Sequence, residues 1–544
     1  MLNYVWLALI VLGIGTAVYL DIGDSLSDKY KNGVPLRVNF TYKDSLITKE
    51  KSGSGVLLIS SADFENHFGV KINSDLQLNS KFIYKDKKDE LAAVVFVSEN
   101  TPDILKKIAS SAGEENDITA VITNLKRLSE NSFSGSMALE QVTFIKMKEV
   151  TNAVIDYAGT AVQIAIGLIG IMALWLGVMK IAEEAGLIHY IAKILKPVTQ
   201  RLFPDVPTDH PAMGAMIMNI SANMLGLGNA ATPFGLKAME ELDTLNPDKG
   251  TATNAMVTFL AINTAGLTLI PATAIAVRAA AGSSDPAIII GTSVFGASCA
   301  TAAGVISAKI FERFQVRKGH FKNWFEENKK ILAGIIISLI MMFLIIITGM
   351  YKIITGFFSF INPESFESVL RMLSYIAIPG IIFVFVIYGA IKKVKVYEQF
   401  VEGAKEGFNI AVRIIPYLVA MLMAIGIFRA GGAMDIFVLI LQPVTNLIGM
   451  PAEALPMALM RPLSGSGSLG VMTEIMSVHG PDSFLGVLVS TFFGSTETTF
   501  YVLAVYFGAV NIRNTRHALA AGLIADIAGI LGALFIVRVL FGGV

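Results

Sequence analysis

The chain has 544 residues, of which 53% are hydrophobic and 16% charged, with 43 basic and 43 acidic side chains in balance. Soluble domains carry about 25% charged residues, so this composition belongs to the bilayer, and zero net charge removes the basic surface that nucleic acid needs. The single cysteine, Cys299, excludes an intrachain disulfide, a multi-cysteine zinc site and an iron–sulfur cluster held by one chain.

A helix rising ~1.5 Å per residue needs ~20 apolar residues to cross a hydrocarbon core ~30 Å thick. The first such run is 2–20. Its flanks are too poor in Lys and Arg for an ordinary cleaved signal peptide. Residues 21–148 then change character, with frequent Lys, Asp, Ser and Asn and short apolar bursts at 55–60, 92–98 and 118–122. The bursts predict strands, and 101–112 has helical spacing. A small α/β or α+β soluble insert is expected, of ~130 residues and able to bury its own core. It carries no nucleophile constellation or phosphate loop, and His67 stands alone.

Further apolar runs follow at 157–179, 250–277, 286–308, 331–350, 372–391, 414–428, 483–512 and 518–537, which with 2–20 predicts about nine crossings. Basic loops face the cytoplasm. The loops at 313–330 and 392–395 are the most basic, and 430–449 has no Lys or Arg. The parity places the N-terminus inside, 21–148 outside and the C-terminus outside a cytoplasmic (inner) membrane.

Between the runs lies a repeat. Pro197-Val-Thr199 and Pro443-Val-Thr445 each follow a small residue by twelve positions, and each precedes a second proline, Pro211 or Pro456, and a Gly/Ser/Asn-rich stretch. Those stretches predict two re-entrant segments. An odd number of crossings between matching landmarks makes the halves inverted, the plan of secondary transporters with broken helices. Small residues also simply let membrane helices pack, which accounts for many individual glycines.

Four polar constellations stand out. Asn219 and Asn223 are four apart, hence on one helix face, and Gly226, Gly228, Asn229, Thr232 and Pro233 follow, predicting a helix break there. Ser464, Ser466 and Ser468 alternate with glycine after Arg461, suiting an extended segment. Asn263 and Thr264 precede Thr268, Pro271 and Thr273, where the proline kinks the helix. Ser495 and Thr496 precede Glu497, which Thr498 and Thr499 follow. An ionisable residue inside a membrane run is a functional candidate, so Glu497 and Asp526 are the expected ion-coupling residues, although Arg461 or Arg278 could neutralise either. Weaker signals are His210, expected to cap a helix, and the solvated pair Glu183 and Glu184. No metalloprotease, nucleophile-elbow or Walker pattern is present, and no enzyme activity, cofactor or metal is expected.

The motifs carry a family resemblance. Leu202-Phe-Pro-Asp-Val-Pro-Thr-Asp-His-Pro-Ala-Met-Gly214, Gly226-Leu-Gly-Asn-Ala-Ala-Thr-Pro233 and Phe259-Leu-Ala-Ile-Asn-Thr264 make 1–20 and 150–312 resemble spore maturation protein A. Arg461-Pro-Leu-Ser-Gly465, Gly480-Pro-Asp-Ser-Phe484, Gly494-Ser-Thr-Glu-Thr-Thr499 and Val505-Tyr-Phe-Gly-Ala509 make 372–544 resemble spore maturation protein B. Both belong to the nucleoside-recognition, gate-domain group, and the resemblance implies a transporter related in plan to concentrative nucleoside transporters. Here the two are fused through 331–350, and the 21–148 insert is added.

The expected fold class is therefore an all-α polytopic membrane protein in two inverted repeats with a soluble insert. Its domains are the first helix 1–20, the insert 21–148, a membrane half 149–312, a basic loop and linker helix 313–371, and a second half 372–544. The leading function is a secondary transporter or ion-coupled permease for a small polar or anionic solute. A membrane scaffold in envelope or spore maturation, or movement of a lipid-linked precursor, are the alternatives. Expected partners are the bilayer, the solute and Na+ or H+, with a homo-oligomer left open.

Overall fold

The computed structural model describes residues 2–42, 52–85, 90–112, 117–129, 131–313 and 363–541. The apolar run 331–350 lies outside the described residues. The chain forms two compact units, one of Trp6–Asp156 with Met423–Phe437, the other of Met1–Val5, Tyr157–Leu422 and Val438–Val544.

In the first unit, helix α1 (Leu2–Leu26) leads into six strands: β1 (Leu36–Tyr42), β2 (Ser52–Ile59), β3 (Leu76–Lys85), β4 (Glu90–Phe96), β5 (Asp117–Arg127) and β6 (Ser132–Leu139). They form a closed antiparallel barrel in which β6 pairs back to β1. Period-two alternation turns Leu36, Val38 and Phe40, then Leu91, Ala93 and Val95, then Ile118, Ala120 and Ile122 into one buried core. Helices α2 (Ser61–Phe68) and α3 (Asp103–Ala112) add Phe64, Leu105 and Ile108 to that core. Closure leaves the barrel without a free edge. The predicted strands are β2, β4 and β5, whereas β1, β3 and β6 are too polar along their outer faces to stand out in the sequence. Asp21 of α1 accepts the N–H groups of Lys146 at 2.8 Å and Met147 at 2.9 Å, capping the start of α4 (Ile145–Glu184). The helices that flank the strands are α1, which ends at Leu26, and α4, which begins at Ile145.

After α4 come α5 (Leu187–Leu202), α6 (Pro211–Met224), α7 (Gly228–Thr244), α8 (Asn254–Ala265), α9 (Ala272–Ala280) and α10 (Ile289–Arg313). Beyond α11 (Pro363–Ile391) follow α12 (Val396–Ala430), α13 (Ala433–Ile448), α14 (Leu455–Met460), α15 (Gly465–His479), α16 (Phe484–Ser495), α17 (Thr499–Ala509) and α18 (Ala518–Phe541). The order from α4 to α10 recurs from α12 to α18. Helices α5 and α13 have 16 residues each, with Pro197 and Pro443 inside at matching places. Helices α8 and α16 have 12 residues each, and a short helix follows both.

Among the described residues, five helices are long and apolar enough to cross a membrane: Asn3–Leu26, Ile145–Glu184, Pro286–Arg313, Val396–Ala430 and Ala518–Phe541. The runs 250–277 and 483–512 are not continuous helices. The first breaks where Gly266 turns left-handed (φ 56°), with Pro271 just before the second helix. The second breaks at Thr496 and Thr498, both outside helical dihedrals. Two further corrections concern the glycine-rich stretches. The break expected over 226–233 is confined to 225–227, and Pro233 lies in the second turn of α7, where it removes one intrahelical hydrogen bond without ending the helix. The stretch 461–470 is helical from Gly465 onward, because the Ser464 hydroxyl accepts the Gly467 N–H and caps α15.

Helices α10 and α18 meet along small residues, Gly296, Ala300 and Gly304 against Ala533, Gly529 and Ala525. A Cβ at Gly304 would lie 3.1 Å from the Ala525 methyl. Such stripes let membrane helices approach closely. The halves also exchange loops. Thr251, between α7 and α8, bridges to Asn514, between α17 and α18. Fully buried Arg278, at the end of α9, donates to Asp482 Oδ1 at 2.9 Å and to Ser490 Oγ at 3.2 Å in the second half.

Candidate solute cavity

The four helix interruptions meet. Leu269 N donates to Met224 O at 2.8 Å, joining the α8–α9 break to the α6–α7 break. In the second half Phe500 N donates to Pro462 O at 3.1 Å, joining the α16–α17 break to the α14–α15 break. Glu497 N then donates to Thr264 O at 2.8 Å, joining the two halves. Two glycines permit the approach. Gly226 (φ 76°) lies where a Cβ would be 2.9 Å from Ile270 O, and a Cβ on Gly266 would fall on the Glu497 side chain.

Around this junction lies a cavity of about 300 Å³. All four interruptions line it, through Asn223 and Gly226, Thr268 and Pro271, Arg461, and Thr496 with Glu497, while α4 adds Lys180 and α12 adds Glu406. Lys180 is held by Glu183 at 3.1 Å and Glu184 at 3.2 Å. Of these two carboxylates, Glu183 lines the cavity, whereas Glu184 is exposed as expected and does not. Arg461 is buried, donates to Thr496 O, stacks 4.6 Å over the Phe493 ring and lies 3.7 Å from Glu497 Oε2. The Glu497 side chain is 52% exposed. The cavity thus presents carboxylates, a lysine and an arginine beside amide and hydroxyl groups. A larger open groove of about 980 Å³ lies among 245–255, Phe311 and 514–517. It contains none of the break residues, so its size does not make it the better candidate.

Behind the cavity wall is an amide–phenol network. Asn223 Nδ2 donates to Asn263 Oδ1 at 2.9 Å, and Asn263 Nδ2 donates to Phe259 O at 2.9 Å. Tyr506 Oη donates to Asn263 Oδ1 at 3.3 Å and accepts from Asn219 Nδ2 at 3.2 Å; the same amide also donates to Ala231 O at 2.8 Å. The amide nitrogens are held by each other, by the phenol and by backbone, while the buried Asn219 Oδ1 has no partner among the described residues.

The sequence-predicted residues fall into three groups. Asn223, Thr496 and Glu497 line the cavity, and Asn219 and Asn263 hold it from behind. Thr264 and Asp526 are buried next to α17, where Asp526 Oδ2 accepts from Thr499 Oγ1 at 2.5 Å. Ser464, Ser466, Ser468, Ser495 and Thr232 do not line it. Ser468 donates to Ser464 O and Ser495 to Thr491 O, both at 2.6 Å, so these hydroxyls satisfy their own helices, and Ser466 Oγ lies 3.3 Å from Ser464 Oγ. The Asn229 side chain lies outside the described residues. His210 caps α6, its Nδ1 accepting from Ala212 N at 3.2 Å. Sequence reasoning missed Tyr506 as a site residue. The available signal was a phenol hydroxyl in an apolar helix, which needs a partner when buried.

Among the described residues no three His, Cys, Asp or Glu side chains converge on a metal position. The family profile described as Gate, nucleoside recognition, matches residues 165–280 and 411–513. Spore maturation protein B of Bacillus subtilis (strain 168) is 52% identical over 174 residues, 32% of this chain and 98% of that protein. Spore maturation protein A of the same organism is 43% identical over 173 residues, 32% of this chain and 88% of that protein. No solved structure matches the chain significantly.

Proposed function

This chain belongs to the nucleoside-recognition Gate family of spore maturation proteins A and B, and we propose that it is a secondary transporter for a small polar solute. One observation carries the proposal. All four interrupted helices, two from each half, supply residues to a single polar cavity. Broken helices expose backbone and side-chain polar groups that lipid cannot satisfy, and transporters use them at the interface of two repeats.

The reciprocal loop exchange supports an inverted relation between the halves. The α7–α8 loop meets the α17–α18 loop, and the α15–α16 loop meets the α9–α10 loop. In this reading each broken pair, α8 with α9 and α16 with α17, makes one crossing. With the five long helices and α11 that makes eight among the described residues, and the apolar run 331–350 is the ninth expected from sequence. Loop charge then sets the barrel outside the cytoplasmic membrane. A cavity of about 300 Å³ is at the small end of ligand sites, which suits a solute of nucleoside size or below.

The test is uptake by proteoliposomes of labelled nucleosides, nucleobases and amino acids, each against an ion gradient. Saturable accumulation of one class, lost in Asn223→Ala, supports transport. Absence of flux for every class in a folded, reconstituted protein returns the reading to a membrane scaffold.

A further inference from the structure

We propose that Asp526 and the threonines around it form a sodium site beside the solute cavity; its part in coupling rests on the transport reading, but its existence does not. Asp526 is 1% exposed on α18, and only Oδ2 is bonded, to Thr499 Oγ1 at 2.5 Å. Among the described residues Oδ1 has no hydrogen-bond partner and no basic side chain forms an ion pair with this carboxylate. The hydroxyls of Thr264, fully buried, and Thr496, 1% exposed, are also without partners among the described residues.

The side chains that carry these oxygens all pack against α18 on either side of Asp526. At Gly522, one turn before Asp526, an added Cβ would lie 2.8 Å from the Thr499 methyl and 3.4 Å from the Thr264 methyl. At Gly529, one turn after, it would fall on the Thr496 methyl. The three threonines therefore bracket the carboxylate along α18. They come from the end of α8, the α16–α17 break and the start of α17, so both halves contribute.

Buried polar oxygens require partners, and a buried carboxylate requires a positive charge. The Arg461 charge is felt at Asp526, but its guanidinium is engaged by Glu497 and by Thr496 O and forms no ion pair with Asp526. A proton on Oδ1 would neutralise the carboxylate and donate to one threonine oxygen at most, leaving the other unmatched. A cation with hard oxygen ligands would satisfy all of them, and a single carboxylate suits a monovalent ion better than calcium or magnesium.

The experiment is thermal unfolding of the purified full-length protein in detergent, without solute. Sodium chloride is titrated against potassium and choline chloride at constant ionic strength. A saturable rise in midpoint specific to sodium is expected. Thr264→Val and Thr496→Val, which keep shape and remove one ligand each, should raise the apparent sodium constant about tenfold, the loss of about 1.4 kcal/mol. Asp526→Asn should abolish the response, and if it does not fold, the two threonine variants decide. A midpoint that rises equally with all three salts, or a sodium response unchanged in the threonine variants, overturns the site. Sodium binding without uptake of any solute defeats the transport reading alone.

Discussion

The backbone N–H of Glu497 and the carbonyl of Thr264 lie 2.8 Å apart across the two halves of the chain. Each belongs to a helix interruption, so each break supplies what the other leaves unsatisfied. The bond also fixes where the Glu497 carboxylate stands, half-exposed in the cavity and 3.7 Å from buried Arg461. A displacement of either break would move solute-facing and structural groups together.

That placement makes Glu497 testable by an isosteric change. Glu497→Gln keeps the volume and removes the charge. We expect the variant to insert and unfold like the wild type, since the carboxylate is half-exposed and its ion pair is worth about 1 kcal/mol or less. Uptake or solute binding should fall at least about tenfold, a loss of about 1.4 kcal/mol. Equal uptake by both proteins would make the residue structural.

Gly266 is the hinge of the same junction. Its left-handed φ of 56° disfavours any side chain, and a Cβ would collide with Glu497. Gly266→Ala should cost at least about 1–2 kcal/mol. Gly214→Ala is the control, because a Cβ there meets nothing within 4 Å. Thermal midpoints that fall equally in the two variants would count against the close approach.

The Arg278–Asp482 contact predicts acid sensitivity. Partial burial raises the Asp482 pKa, but hydrogen bonds from Ser283 and Ser284 and the Arg278 charge outweigh it and hold the carboxylate below its ordinary range. A depressed carboxyl stabilises the fold above its unfolded pKa of about 3.9, and that stability is lost as pH falls through the lower folded value. Asp482→Asn should therefore lower stability at neutral pH, by about 1 kcal/mol for a partly exposed group, by removing the charge opposite buried Arg278 and the acceptor oxygen that Ser284 uses. The gap between variant and wild type should close below about pH 4. Unfolding midpoints across pH measure both, and a gap that persists in acid would refute the linkage.

The side of the membrane on which the barrel lies is open to labelling. Ser54 is exposed on β2, and Cys299 is the sole native cysteine. In a Cys299→Ala background, Ser54→Cys should react with an impermeant maleimide on intact spheroplasts. Reaction only after permeabilisation would reverse the orientation.

Much of this architecture was legible in the sequence because its causes are local. Hydropathy marked the long helices, strand-like bursts marked part of the insert, and Gly226 and Pro271 marked breaks, since backbone freedom and a missing N–H act where they stand. The Pro197 and Pro443 spacing marked a repeat, and the structure sets both prolines inside helices of 16 residues. Tertiary structure decided which polar groups face the cavity. Ser468 and Ser495 look like ligands in the sequence, yet each donates to a carbonyl four residues back on its own helix. Tyr506 looks like an apolar-helix residue, yet it joins Asn219 and Asn263, 287 and 243 positions away. Arg278 finds Asp482 across 204 positions, and β1 finds β6 only when the barrel closes. Composition fixes how many hydroxyls and amides a membrane chain carries. Whether each is spent on its own helix or left for a solute depends on which distant segment packs against it.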